Sequence, residues 1–261
     1  MQDRGLAAYI AELLGTLFLV FVVGTVVTLF VASSPDAQTG SDFAVVGLVH
    51  ALMLFGLIMA FGAVSGGHFN PAITLAAAAQ RRIDPVDAVV YVLAQLSGAV
   101  LGALLVKGIL LDEGRALGYG NAEVSSLLGG NFQGFIVEGL GTFLLVLVVL
   151  AVALNPRARQ EWAPFAIGTT LGFVVMIFGP LTGGSVNPAR WFGPALIGDQ
   201  LEASDLVPFV LGPLVGALLA VAIYRFVIAG PQFAEGAEPP TSDARAVGQA
   251  VKDAEVRARN Q

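Results

Sequence analysis

The chain contains one eight-residue phrase twice. Ser65-Gly66-Gly67-His68-Phe69-Asn70-Pro71-Ala72 returns as Thr182-Gly183-Gly184-Ser185-Val186-Asn187-Pro188-Ala189. Shorter echoes run in step with it. Ala11-Glu12-Leu13-Leu14-Gly15-Thr16 matches Val137-Glu138-Gly139-Leu140-Gly141-Thr142, and Gly98-Ala99 matches Gly216-Ala217. Around these landmarks lie six apolar runs, at about 7–31, 43–64, 86–110, 132–154, 163–182 and 206–229. Each is close to the roughly 20 residues that cross a bilayer core. Each copy of the repeat therefore holds three crossings. Three is odd, so the second copy enters the membrane from the opposite side. The halves, about 7–110 and 132–229, are then inverted about an axis in the membrane plane.

The expected fold is an all-α membrane protein with six transmembrane helices and two re-entrant half-helices. Composition agrees: 56% of the 261 residues are hydrophobic and 12% are charged, against about 25% charge in a typical soluble domain. The first run is full membrane length, which reads as a retained helix rather than a cleaved leader. Arg4, Arg81, Arg82, Arg157, Arg159, Arg225, Arg245, Lys252, Arg257 and Arg259 fall on one side. Lys107 and Arg115 share the other with Asp36, Asp42, Asp112, Glu113, Glu123, Asp199, Glu202 and Asp205. The positive-inside rule then places both termini in the cytoplasm. Arg outnumbers Lys eleven to two, a bias that points to a prokaryotic source and thus its plasma membrane. Residues 230–261 lose the apolar pattern and read as a largely disordered cytoplasmic tail.

The repeated phrase has a physical meaning. Asn70 is a favoured N-cap, and Pro71 suits the first helical position. The Ala/Leu run after Ala72 reaches Arg81-Arg82 after only about ten residues, half of a crossing. Asn187, Pro188 and Ala189 open a second such segment, ending near Ile197. Both half-helices start deep in the membrane, so the Gly-Gly backbone before them must be buried in protein or line a water-filled cavity. Two helix N-termini meeting there aim two positive dipole ends at one point. The amides of Asn70 and Asn187 offer donors to a passing water oxygen, while cations meet a barrier.

With these motifs, Ser65–Thr74 and Gly183–Ala195, the sequence resembles the aquaporin (major intrinsic protein) family over about residues 5–229. The resemblance implies a channel domain over 1–229, a pore in every subunit and a homotetramer. It also implies an outer constriction formed by His50, Val175, Gly184 and Arg190. This set is similar to that of the plant tonoplast intrinsic proteins, because strict water channels carry Phe and His where this chain has His50 and Val175. A wider constriction is expected. Glycerol-type members carry Asp after the motif arginine and a basic residue four positions on. This chain has Trp191 and Ala195: Ala195 fits the water-type branch, and Trp191 fits neither.

His68, beside the first motif, reads as a structural or pore-lining hydrogen-bonding group. With two histidines and no cysteine, no metal site and no cofactor are expected. Glu12 and Glu138 are intramembrane carboxylates. One reading makes them proton relays of a coupled transporter. The other, favoured by their matched positions, makes each an acceptor for the N–H groups of a re-entrant loop. The net charge of −6 argues against nucleic-acid partners, and no nucleophile–base set, phosphate loop or cofactor motif suggests an enzyme. The expected cargo is water, with ammonia, hydrogen peroxide or glycerol as further solutes. A glycerol or urea facilitator is the alternative.

Overall fold

The computed structural model describes residues 5–31, 41–155 and 158–229. Arg4, Asp36, Arg157 and the 230–261 tail lie outside the described residues. Regular structure within them is entirely helical. The long helices are α1 (Gly5–Phe30), α2 (Ser41–Ser65), α4 (Pro85–Ile109), α5 (Asn131–Val152) and α6 (Ala163–Thr182). The sixth crossing, Ala203–Ile228, is built on α8 (Gly212–Ile223) with a wider π-helical turn on either side, Val207–Leu211 and Tyr224–Ile228. The half-helices are α3 (Pro71–Ala79) and α7 (Pro188–Ile197).

The pairing of helices follows the inversion. In the first half α1 packs on α4 and on α2; in the second, α5 packs on α8 and on α6. The halves join through α2 against α6, and they exchange half-helices: α3 lies on α8, and α7 lies on α4. Glycines permit the close crossings. A Cβ on Gly98 or Gly102 would run into the carbonyls of Leu13 and Leu17 on α1, and one on Gly216 into the Gly139 backbone of α5. In a membrane, where apolar side chains gain nothing by leaving lipid, such backbone proximity is a main source of helix association.

The molecule is apolar outside and polar within. Large apolar side chains such as Leu52, Met59, Phe132, Phe173, Ile177 and Phe226 are exposed, while Glu12, His50, Asn70, Gln95, Glu138, Asn187 and Arg190 are buried. A soluble fold has the opposite arrangement. Polar side chains here have only one another, backbone, or pore contents to satisfy them.

Candidate channel and its supports

Each half-helix begins as its sequence dictates. The Asn70 Oδ1 accepts from Ala72 N at 2.9 Å, and the Asn187 Oδ1 accepts from Ala189 N at 3.0 Å and Arg190 N at 3.2 Å. The other ends of the two amides do something the sequence did not disclose. Asn70 Nδ2 donates to the Val186 carbonyl, and Asn187 Nδ2 donates to the Phe69 carbonyl, both at 2.8 Å. Each amide thus spends one N–H cross-linking the two loops and keeps one for the cavity. The carbonyls they meet belong to the residues preceding the opposite motif, because the inversion brings each loop beside the other's cap.

Those preceding residues are strained. Phe69 has φ 48° and Val186 has φ 44°, in the left-handed region that a β-branched residue rarely enters. Such conformations cost about 1–3 kcal/mol each and need over-determination by their surroundings. The long helices supply it. The Glu12 carboxylate accepts from Ser65 Oγ (2.6 Å), His68 N (2.9 Å), Phe69 N (2.7 Å) and Gln95 Nε2 (2.8 Å). The Glu138 carboxylate accepts from Thr182 Oγ1 (2.7 Å), Ser185 N (2.9 Å) and Val186 N (2.6 Å). One turn beyond each Glu stands a glycine. The Phe69 ring occupies the space where Gly15 would carry a Cβ, and Val186 does the same at Gly141. The Glu-x-x-Gly spacing in α1 and α5 is thus one device used twice. The carboxylate holds the N–H of the strained residue, and the glycine admits its side chain.

Gln95, Tyr91 and Thr74 escaped the sequence reading. Gln95 Nε2 bridges Glu12 and Thr74 Oγ1, and Tyr91 donates to the Ser65 carbonyl at 2.8 Å. A fully buried Gln in an otherwise apolar crossing was the available signal. His68 places Nδ1 3.1 Å from Thr74 Oγ1, with its ring edge-on to Tyr91. Trp191 is fully buried and stacks on Phe209, centroids 5.6 Å apart.

Two adjacent spaces lie along the loops. A vestibule of about 360 Å³ is bordered by Ile58, Gly66, Gly67, His68, Leu154 and Gln160, among others. Beyond His68, Leu54 and Ile73, which border both, a central cavity narrows to about 20 Å³ between Asn70, Asn187, His50 and Arg190. That is room for about one water. Val175 and Gly184 are not among the residues bordering it. They pack on each other: a Cβ on Gly184 would lie 3.1 Å from Val175 Cα, and Gly184 has φ +56°. The glycine therefore has a packing and backbone reason of its own.

His50 Nδ1 lies 2.7 Å from the Val46 carbonyl, so this nitrogen carries the proton and, in the neutral ring, Nε2 is an acceptor. Nε2 has no hydrogen-bond partner among the described residues, and neither have Arg190 Nε and Nη1. One acceptor and a pair of donors, all buried, thus border the same small space. Buried polar groups are almost always paired. What fits between these must both donate and accept.

Known proteins resemble the chain in sequence and in fold. Residues 2–224 match the family described as Major intrinsic protein. The chain is 40% identical over 218 residues to the Glycerol uptake facilitator protein-like 6 of Lactiplantibacillus plantarum, covering 83% of this chain and 96% of that one. It is 38% identical over 230 residues to the Probable aquaporin TIP3-2 of Arabidopsis thaliana, covering 85% and 83%. The X-ray structure of the aquaglyceroporin from Plasmodium falciparum shares the fold with a TM-score of 0.74 at 23% identity, covering 88% of this chain and 99% of that one. The chain belongs to the major intrinsic protein family of passive membrane channels, which are not enzymes.

Proposed function

We propose that the protein conducts water in single file and rejects protons and ions. The observation that carries this reading is the cavity of about 20 Å³ bordered by His50 and Arg190, whose Nε2 and whose Nε and Nη1 have no partners among the described residues. Water donates and accepts, and it fits. In the proposal, Asn70 and Asn187 with the α3 and α7 N-termini orient its oxygen at the middle, and Arg190 adds a fixed positive charge. Val175 and Gly184 set the wall behind His50. Glu12 and Glu138 hold the loops. With four donors on the Glu12 carboxylate and three on that of Glu138, they favour the supporting role over the proton relay.

Ammonia and hydrogen peroxide, close to water in size, are the further solutes proposed. Glycerol, with a three-carbon backbone, needs the narrow cavity to widen. The glycerol or urea reading rests on the name of the Lactiplantibacillus relative. Stopped-flow measurement on proteoliposomes separates the two. Fast osmotic shrinkage with negligible glycerol re-swelling is expected; glycerol flux comparable to water flux would overturn the proposal. The same reading places a homotetramer in a prokaryotic plasma membrane with both termini in the cytoplasm.

A further inference from the structure

Away from the channel, the ends of three helices frame a second polar cavity. It holds about 40 Å³ and lies where the chain leaves α3, where α5 ends, and where the last crossing ends. Its polar lining is Gln80, Arg82, Asn155, Tyr224 and Arg225; among the described residues no carboxylate borders it. Neither guanidinium has a hydrogen bond or ion pair among the described residues. Arg225 lies over the Phe226 ring, 5.7 Å from its centroid. Leu150 and Leu154 form the inner wall and also border the vestibule.

The surroundings identify the occupant. The cavity opens at the basic end of the bundle, at the level where the last crossing leaves the membrane. On the crossing that carries Arg225, the side chains of Leu219, Ile223, Phe226 and Val227 are exposed, so apolar surface for a hydrocarbon tail is present on the same helix. A ligand matching both parts has an anionic head and a hydrocarbon tail. We propose that this cavity binds the phosphate of an anionic phospholipid, with Arg82 and Arg225 on the phosphate oxygens and an acyl chain along Leu219, Ile223 and Phe226. Arginine suits phosphate because its planar fork presents paired donors. The Gln80 amide supplies a neutral donor for a remaining head-group oxygen, while Asn155, hydrogen-bonded to Tyr224, closes the wall. Arginines that merely set orientation at a membrane surface need neither a cavity nor such an amide.

The test is lipid retention by the full chain in detergent, read by native mass spectrometry. Dioleoyl phosphatidylglycerol is compared with dioleoyl phosphatidylcholine. Two arginines at a lipid surface correspond to a preference of about 30-fold for the anionic lipid. Arg82→Gln/Arg225→Gln is expected to lose that preference while keeping wild-type water permeability, which shows that the fold is intact. Arg81→Gln/Arg159→Gln, on the same face but outside the cavity, is expected to keep it. An unchanged preference in the first variant, or an equal loss in the second, overturns the site. Inorganic phosphate is the third arm: if it alone displaces the lipid at equal concentration, the site takes free phosphate and the lipid assignment fails.

Discussion

Replacing Glu138 with Gln tests the support of the second loop with little change of shape. An amide keeps one oxygen and exchanges the other for NH2. Placed at Oε1, the NH2 faces the Ser185 N–H and the Thr182 hydroxyl, which can rotate to accept; placed at Oε2, it faces the Val186 N–H. Either way one buried backbone N–H loses its acceptor, at a cost of about 1–3 kcal/mol. Glu138→Ala strips the acceptor from both N–H groups, about 2–6 kcal/mol by the same measure. For a chain of this size each kcal/mol corresponds to roughly 2–4 °C in melting temperature. The Gln variant is thus expected to melt about 2–12 °C below wild type, and the Ala variant about twice as far below. The assay is thermal unfolding in detergent, alongside solute uptake driven by a pH gradient. A Gln variant that melts with wild type would refute the argument that this carboxylate holds Ser185 and Val186. If that variant also abolished pH-driven uptake seen in wild type, the proton-relay role would replace it.

Substitutions at three further positions probe the channel and its surroundings. Arg190→Val removes the fixed charge and the unpartnered donors of the central cavity, so proton or cation leakage through proteoliposomes is expected to rise; unchanged leakage removes the barrier role. His50→Phe replaces the buried acceptor with a larger apolar ring beside a space of about 20 Å³. It is expected to lower ammonia flux, and any glycerol flux, more than water flux, and an equal fall in all of them would count against a selectivity role. Trp191→Ala should cost about 3–5 kcal/mol by emptying the site stacked on Phe209. Trp191→Phe keeps a ring there and discards an indole N–H that has no partner, so thermal unfolding should find it much closer to wild type. A Phe variant as unstable as the Ala variant would show that the N–H is paired after all.

The sequence disclosed features that repeat and hid those that do not. The inverted halves, the caps at Asn70 and Asn187, and the matched positions of Glu12 and Glu138 all stood in duplicate, so each copy supported the reading of the other. The cross-pairing of Asn70 to Val186 and Asn187 to Phe69 was not legible. It joins residues more than a hundred positions apart, and only the meeting of the two loops brings them together. The position of Val175 and Gly184 was also hidden. A motif places them beside the pore, but whether they face it depends on rotation of α6 and on the φ of Gly184. The apolar pattern of α6 does not fix that rotation, because a membrane helix is apolar all round.

The departure from symmetry carries the last inference about how the channel is held. Thr74 and Trp191 occupy matching positions, each four residues after its motif asparagine. Tyr91 and Phe209 match as well, counted back from Gly98 and Gly216. In the first half these positions are polar: Thr74 receives Gln95, and Tyr91 ties down the Ser65 carbonyl. In the second half they form an aromatic stack against a π-helical turn. Both loops hang on their glutamate; beyond it, the first is fixed by further directional bonds and the second by packing. Hydrogen bonds in a low-dielectric interior are strong and directional, whereas the stacked pair fills volume, its one polar group being the Trp191 indole N–H, a donor. Arg190 lies on the packed side, directly before Trp191. Its unpartnered N–H groups thus face a neighbourhood with few competing acceptors, which leaves them for whatever occupies the cavity.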